Sequence, residues 1–142
     1  MISRQSILRA LDANRNRALE GLRVAEDILR FGFNAAAHVT RLRTLRHGIA
    51  NAVRALPVSS HTLARARDTR TDVGRRFAGS RTASAEQLLL INLQRAKEAL
   101  RVLEELSRLI APTKARRFQR LRFDLYAQER RVLIHVAALR HH

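Results

Sequence analysis

Two aspartates four residues apart, Asp68 and Asp72, sit among Arg67, Arg70, Arg75 and Arg76 near the middle of the chain. Carboxylates at that spacing can share a divalent cation where the backbone between them is turned or helical. Mg²⁺ takes hard oxygen ligands, commonly one or two carboxylates plus the phosphates of a substrate. Arginine matches those phosphates, because its planar fork donates parallel hydrogen bonds and keeps its charge. Thr71 and Gly74 are compatible with a backbone that approaches an anion closely. The same residues also make an ordinary exposed loop, in which the aspartates merely cap helix ends and pair with nearby arginines.

A second constellation occurs twice. Arg17, Glu20, Arg23 and Glu26 are each three residues apart, and Arg95, Glu98, Arg101 and Glu104 repeat the pattern. On a helix such spacing forms surface ion pairs worth a few tenths of a kcal/mol each, which is the plain structural role. Asn14 and Asn92 do not fit that role, because both fall on an apolar stripe. A polar side chain facing a core needs partners, so each is either a helix-helix lock or a ligand contact. Arg46, His47 and Arg122 lie on the helices that follow and are expected to face the same cleft.

The elements that must position these groups are all helical. Apolar residues recur at helical spacing through Ile7, Leu8, Leu11, Ala18, Leu22, Ala25, Ile28 and Leu29. Gly32 supplies a stop, and Asn34 is expected to cap a second helix over about 35–56, with Pro57 beyond it. Ser84 and Gln87 read as a capping box for a third helix over about 85–110. Pro112 closes that helix, and Thr113 is expected to cap a fourth over about 114–139, with Leu121, Leu125, Leu133 and Val136 facing inward. A short helical turn is expected near 62–66. No segment alternates apolar and polar residues as a half-buried strand does.

The first and third helices are copies. Residues 14–27 and 92–105 share Asn, Arg, Ala, Glu, Leu, Arg, Val and Glu at matching places, and 41–49 matches 117–125. Apolar periodicity aligns leucines, but it does not align Asn, Arg and Glu. The expectation is an internal duplication within one all-α domain over 1–142. Its fold is read as a pseudo-twofold four-helix bundle of two hairpins, about 4–56 and 84–140. A connection this long, about 57–83, is usually functional or disordered.

The chain has 142 residues, 28 basic against 12 acidic, a formal charge of +16 and no cysteine. Disulfides and thiolate metal sites are therefore excluded. With no membrane-length apolar run and no leader pattern, a cytoplasmic location without membrane association is expected. Nearly all the positive charge is arginine, which points to phosphorylated partners. Phosphate-loop, nucleophile-elbow and zinc motifs are absent.

The segments LDANRNRALEGLRVAEDILRF, ARDTRTDVG, NLQRAKEALRVLEEL and RLRFDLY together resemble a family of alternative hydroxymethylpyrimidine-phosphate kinases. Its members occur alone or fused to thiamin-phosphate synthase. The likeness covers about residues 5–131 in order and spacing, and the chain resembles the stand-alone form. It implies phosphoryl transfer from ATP, with Mg²⁺, to 4-amino-5-hydroxymethyl-2-methylpyrimidine phosphate. In that frame Asp68 and Asp72 would hold the metal, and Arg67, Arg23 and Arg101 would stabilise the transferring group. Asn14, Arg17, Glu20, Arg46, His47, Asn92, Arg95, Glu98 and Arg122 would bind substrate. The acceptor is itself a phosphate, so no strong general base is required.

Two other classes compete. Charge alone suits a nucleic-acid-binding helical module, but an aromatic content of 4% without Trp gives no stacking platform. A noncatalytic interaction domain would use the repeated Arg/Glu faces for docking. Amphipathic helices with half-exposed apolar faces also allow self-association.

Overall fold

The structure is a computed structural model and describes residues 1–76 and 84–140. The end of the inter-repeat connection, 77–83, and the terminal His pair lie outside the described residues. Helix α1, Arg4–Asp27, starts where the Ser3 hydroxyl accepts a hydrogen bond from the Ser6 amide. It runs into a π-helical turn, Ile28–Gly32. Helix α2 spans Ala36–Arg54, short α3 spans Ser60–Ala66, α4 spans Ala85–Ile110 and α5 spans Ala115–Arg140. Ser84 caps α4 as expected, its hydroxyl accepting from the Gln87 amide. All regular structure among the described residues is helical, as the periodicity predicts.

Three end signals act differently from expectation. Gly32 lies within the π turn, and Asn34 takes the left-handed conformation at φ 51° that commonly ends a helix. Asparagine tolerates that region because its short polar side chain bonds locally. The stop comes two residues late, and Ala35, with no side-chain cap, precedes α2. The Ala35 amide reaches back to the Leu29 carbonyl at 3.0 Å. Thr113 falls inside a 3₁₀ turn, Pro112–Lys114, rather than at the cap of α5. Leu133 is exposed, and Val132 takes the expected core position.

The four long helices pack in a closed ring: α1 on α2, α2 on α5, α5 on α4 and α4 on α1, with α3 laid against α1. Leu11, Leu22, Leu42, Ile49, Leu93, Leu100, Phe118 and Leu125 are fully buried between them. Each such side chain contributes about 1.5–3 kcal/mol by leaving water. The α1–α4 contact is close because its residues are small. A Cβ on Gly21 would lie 2.9 Å from the Asn92 carbonyl oxygen and 3.6 Å from the Ala96 Cβ. That oxygen is main chain, so any side chain at position 21 would push the helices apart. The crossing brings the matching stretches of the two repeats face to face.

Candidate functional site

The connection is anchored at one residue that the sequence reading overlooked. Asp12, in the third turn of α1, is 4% exposed. Arg67 meets it side-on, with Nε 2.7 Å from Oδ2 and Nη2 2.9 Å from Oδ1. The carboxylate hydrogen bond raises the Arg67 pKa further above its ordinary value. A carboxylate at that depth is costly without a cation, so Asp12 fixes where the connection lies. The pair leaves the Nη1 edge of Arg67 free of protein bonds among the described residues, and the side chain is half exposed. The only sequence signal was an acidic residue directly after Leu11, at the margin of the apolar stripe.

Beyond Arg67 the chain turns on its aspartates. Asp68 Oδ1 accepts from the Arg70 and Thr71 amides, both at 3.1 Å, and Oδ2 accepts from the Thr71 hydroxyl. That hydroxyl, then the two amides and the charge of Arg9, hold the Asp68 carboxyl below the usual carboxylate range. Asp72 Oδ1 accepts from the Gly74 amide at 2.9 Å, opening a 3₁₀ turn at Val73–Arg76. The aspartates therefore cap the local backbone, Asp72 at the start of a 3₁₀ turn as the plain loop reading has it, but among the described residues neither makes the ion pair with a nearby arginine that the same reading expects. They also line one recess of about 380 Å³ together with Arg9, Asn14, Arg17 and Arg67. Asp12 also lines it, but among the described residues no group of three or more His, Cys, Asp or Glu side chains is placed to hold a metal ion. Two carboxylates suit Mg²⁺ that completes its shell with substrate phosphates and water, so the donor set fits.

A second recess adjoins the first. Asn14 and Arg17 border both, and Glu20, Asn92, Arg95 and Glu98 complete a groove of about 460 Å³ along the α1–α4 crossing. Gly21, Ala99 and Val102 supply its apolar surface. The duplicated Asn, Arg and Glu thus come together from both repeats, as their matching positions suggest.

Five of the expected site residues stay outside these recesses. Arg46 and Arg122 are committed elsewhere, each to a buried glutamate of its own hairpin. Arg46 binds Glu26 through Nε at 2.7 Å and Nη2 at 3.1 Å, which raises its pKa. Arg122 reaches Glu104 through Nη2 at 3.2 Å. Glu26 is 3% exposed and Glu104 is fully buried, so both need a cation beside them. Glu104 also receives Arg101 at 2.8 Å. Sharing the carboxylate leaves Arg122 Nε buried without a hydrogen-bond partner, while its guanidinium stacks over Phe123. Arg23 is exposed beside Asp27, and His47 is exposed on α2. The expected i,i+3 ladder is realised only at Arg101–Glu104, because Glu26 turns inward to Arg46.

A family model described as the ThiD2 family matches residues 9–131. The chain belongs to the ThiD2 family. It is the family that the four motif segments resemble, and the match takes in both repeats and the connection. A thiamine-phosphate synthase of Nostoc punctiforme is 38% identical over 136 residues, covering 92% of this chain and 36% of the relative. One from a Synechocystis species is 39% identical, covering 87% and 35% respectively. One from Rhodopirellula baltica is 36% identical, covering 95% and 36%. The chain thus spans about a third of the length of these relatives. No solved structure matches it. No helix among the described residues is long and apolar enough to cross a membrane.

Proposed function

We propose that this ThiD2 protein acts in thiamin biosynthesis. Its reaction is the phosphorylation of 4-amino-5-hydroxymethyl-2-methylpyrimidine phosphate to the diphosphate, with ATP as donor and Mg²⁺ as cofactor. The observation that carries the reading is the pair of joined recesses. One is lined by Arg9, Arg17, Arg67, Asp68 and Asp72, and the other by paired amides, arginines and glutamates around an apolar floor. The first suits phosphates and the second suits a small polar ring. Family membership and relatives named thiamine-phosphate synthase support the pathway.

In this reaction an oxygen of the acceptor phosphate forms a bond to the terminal phosphorus of ATP as the bond to ADP breaks. The acceptor oxygen is already anionic, so the protein's task is positioning and charge neutralisation. Arg67 is preorganised for that task, because Asp12 fixes its plane and leaves its outer N–H edge for a phosphoryl oxygen. Arg9 and Arg17 border the same space. Asp68 and Asp72 would hold Mg²⁺, which neutralises charge on the donor phosphates.

The test is a coupled assay on the purified chain, comparing the pyrimidine alcohol with its monophosphate. Mg²⁺- and ATP-dependent diphosphate formation is expected from the monophosphate, and a loss of about 100-fold or more in Asp72→Asn. Absence of turnover, combined with salt-sensitive RNA binding, would replace the kinase with a nucleic-acid-binding module.

A further inference from the structure

Asn14 and Asn92 are the most deeply placed polar groups of the groove, at 5% and 6% exposure. Each spends an amide N–H on its own helix: Asn14 Nδ2 donates to the Ala10 carbonyl at 2.8 Å, and Asn92 Nδ2 to the Leu88 carbonyl at 2.9 Å. A carbonyl is met only by an N–H, so this bond fixes the orientation of both amides. Neither Oδ1 has a partner among the described residues, and neither is a buried orphan. Both residues line the groove at the α1–α4 crossing, so their oxygens are the acceptors available to a ligand there. Asn14 and Asn92 sit at matching places in the two repeats, so the duplication supplies a pair of oriented acceptors in one groove.

A pair of fixed carbonyl oxygens is complementary to a group with two N–H bonds. We infer that Asn14 and Asn92 form the specificity determinant for an exocyclic amine on a planar ring, each Oδ1 accepting one of its hydrogens. The assignment rests on the kinase reading for the identity of the ring, since the proposed acceptor carries one such amine. The same pair rejects a ring that bears a carbonyl at that position. Such a ring sets an acceptor against the two Oδ1 acceptors and leaves both oxygens unpaired, the arrangement that gives sites their sharpest discrimination. Gly21 and Ala99 line the floor on which the ring would lie, and Arg17 borders both this groove and the recess assigned to phosphate.

The test is calorimetric binding of the full chain to the aminopyrimidine monophosphate and to its 4-oxo counterpart, without ATP. The wild-type protein is expected to favour the amine by about 100-fold or more. Asn14→Ala and Asn92→Ala are each expected to weaken binding of the amine about tenfold and to change binding of the oxo compound less than about twofold. Helicity by circular dichroism checks that the variants fold. Equal affinity of the wild-type chain for the two compounds overturns the inference without recourse to any variant. So does an undiminished preference in both folded variants. Amine-selective, asparagine-dependent binding in a protein with no phosphoryl transfer would sink the kinase reading alone.

Discussion

Arg46 is expected from the sequence to bind substrate, but the structure pairs it with the buried Glu26, and the worth of that pair can be measured. Replacing it with methionine keeps most of the stem volume and removes the cation from Glu26, which is 3% exposed. Stripping one partner from a buried pair generally costs about 3–5 kcal/mol. The Arg46 side chain is 19% exposed, so water partly replaces it, and a loss of about 3 kcal/mol is expected. For a chain of this size that corresponds to a Tm lowered by roughly 10 °C. The second repeat provides an internal control. Arg122→Met leaves Glu104 with Arg101 at 2.8 Å and Arg108 at 3.9 Å, so its cost should be only about 1–2 kcal/mol. In the double variant Arg46→Met, Glu26→Met no charge is left buried, and about 2 kcal/mol or more should return. Urea unfolding with unchanged slope is the assay. A wild-type midpoint for Arg46→Met, together with weakened phosphate binding, would refute the reasoning and restore Arg46 as a ligand.

Two further outcomes follow from other contacts. Asp12→Asn removes the charge that anchors Arg67, so trypsin should cleave after Arg70 about tenfold faster while helicity is retained; an unchanged cleavage rate would show that Asp12 does not hold the connection. His38 of α2 lies 3.1 Å from Gln128 Nε2 through Nδ1 and against the His135 ring of α5. Burial chiefly, then the charges of His135, Arg41 and Arg131, lower its pKa below the ordinary 6.5. The unfolded chain therefore takes the proton first, and stability should decline as pH falls below about 6.5 and level off below the folded-state value. His38→Gln should flatten that slope, as followed by urea midpoints between pH 7.5 and 5; an identical slope in the variant would assign it to other groups.

Much of the fold was legible because helices advertise themselves through period and punctuation. The stripe through Leu11 and Leu22 and the Ser84 cap are local signals, and the structure uses them as read. Asn34 was misread because Asn serves both helix starts and left-handed helix ends, and only the backbone angle decides between them. The candidate site was half legible. Aligning the repeats singled out Asn14 and Asn92, because a polar residue on an apolar stripe conflicts with the pattern around it. The same alignment could not tell Glu20, which borders the groove, from Glu26, which turns into the hairpin. Both are glutamates on one helix at i,i+3-type spacings, and the difference lies in what the neighbouring helix offers. Asp12 escaped notice because its partner is 55 residues away, beyond the reach of any local rule.

The connection runs from the end of the first repeat to the start of the second, and Asp12 moors it to the first. The matching residue of the second repeat is Leu90, which has no charge to offer an arginine. The two repeats thereby differ at the position that anchors the connection. Under the proposed kinase reading the expected stoichiometry is one ligand set per chain rather than two, with the phosphates beside Arg67 and the ring at the α1–α4 crossing. A pair of identical hairpins associating freely would have no means of choosing that direction. Joined by this connection, the duplicated halves acquire a front and a back.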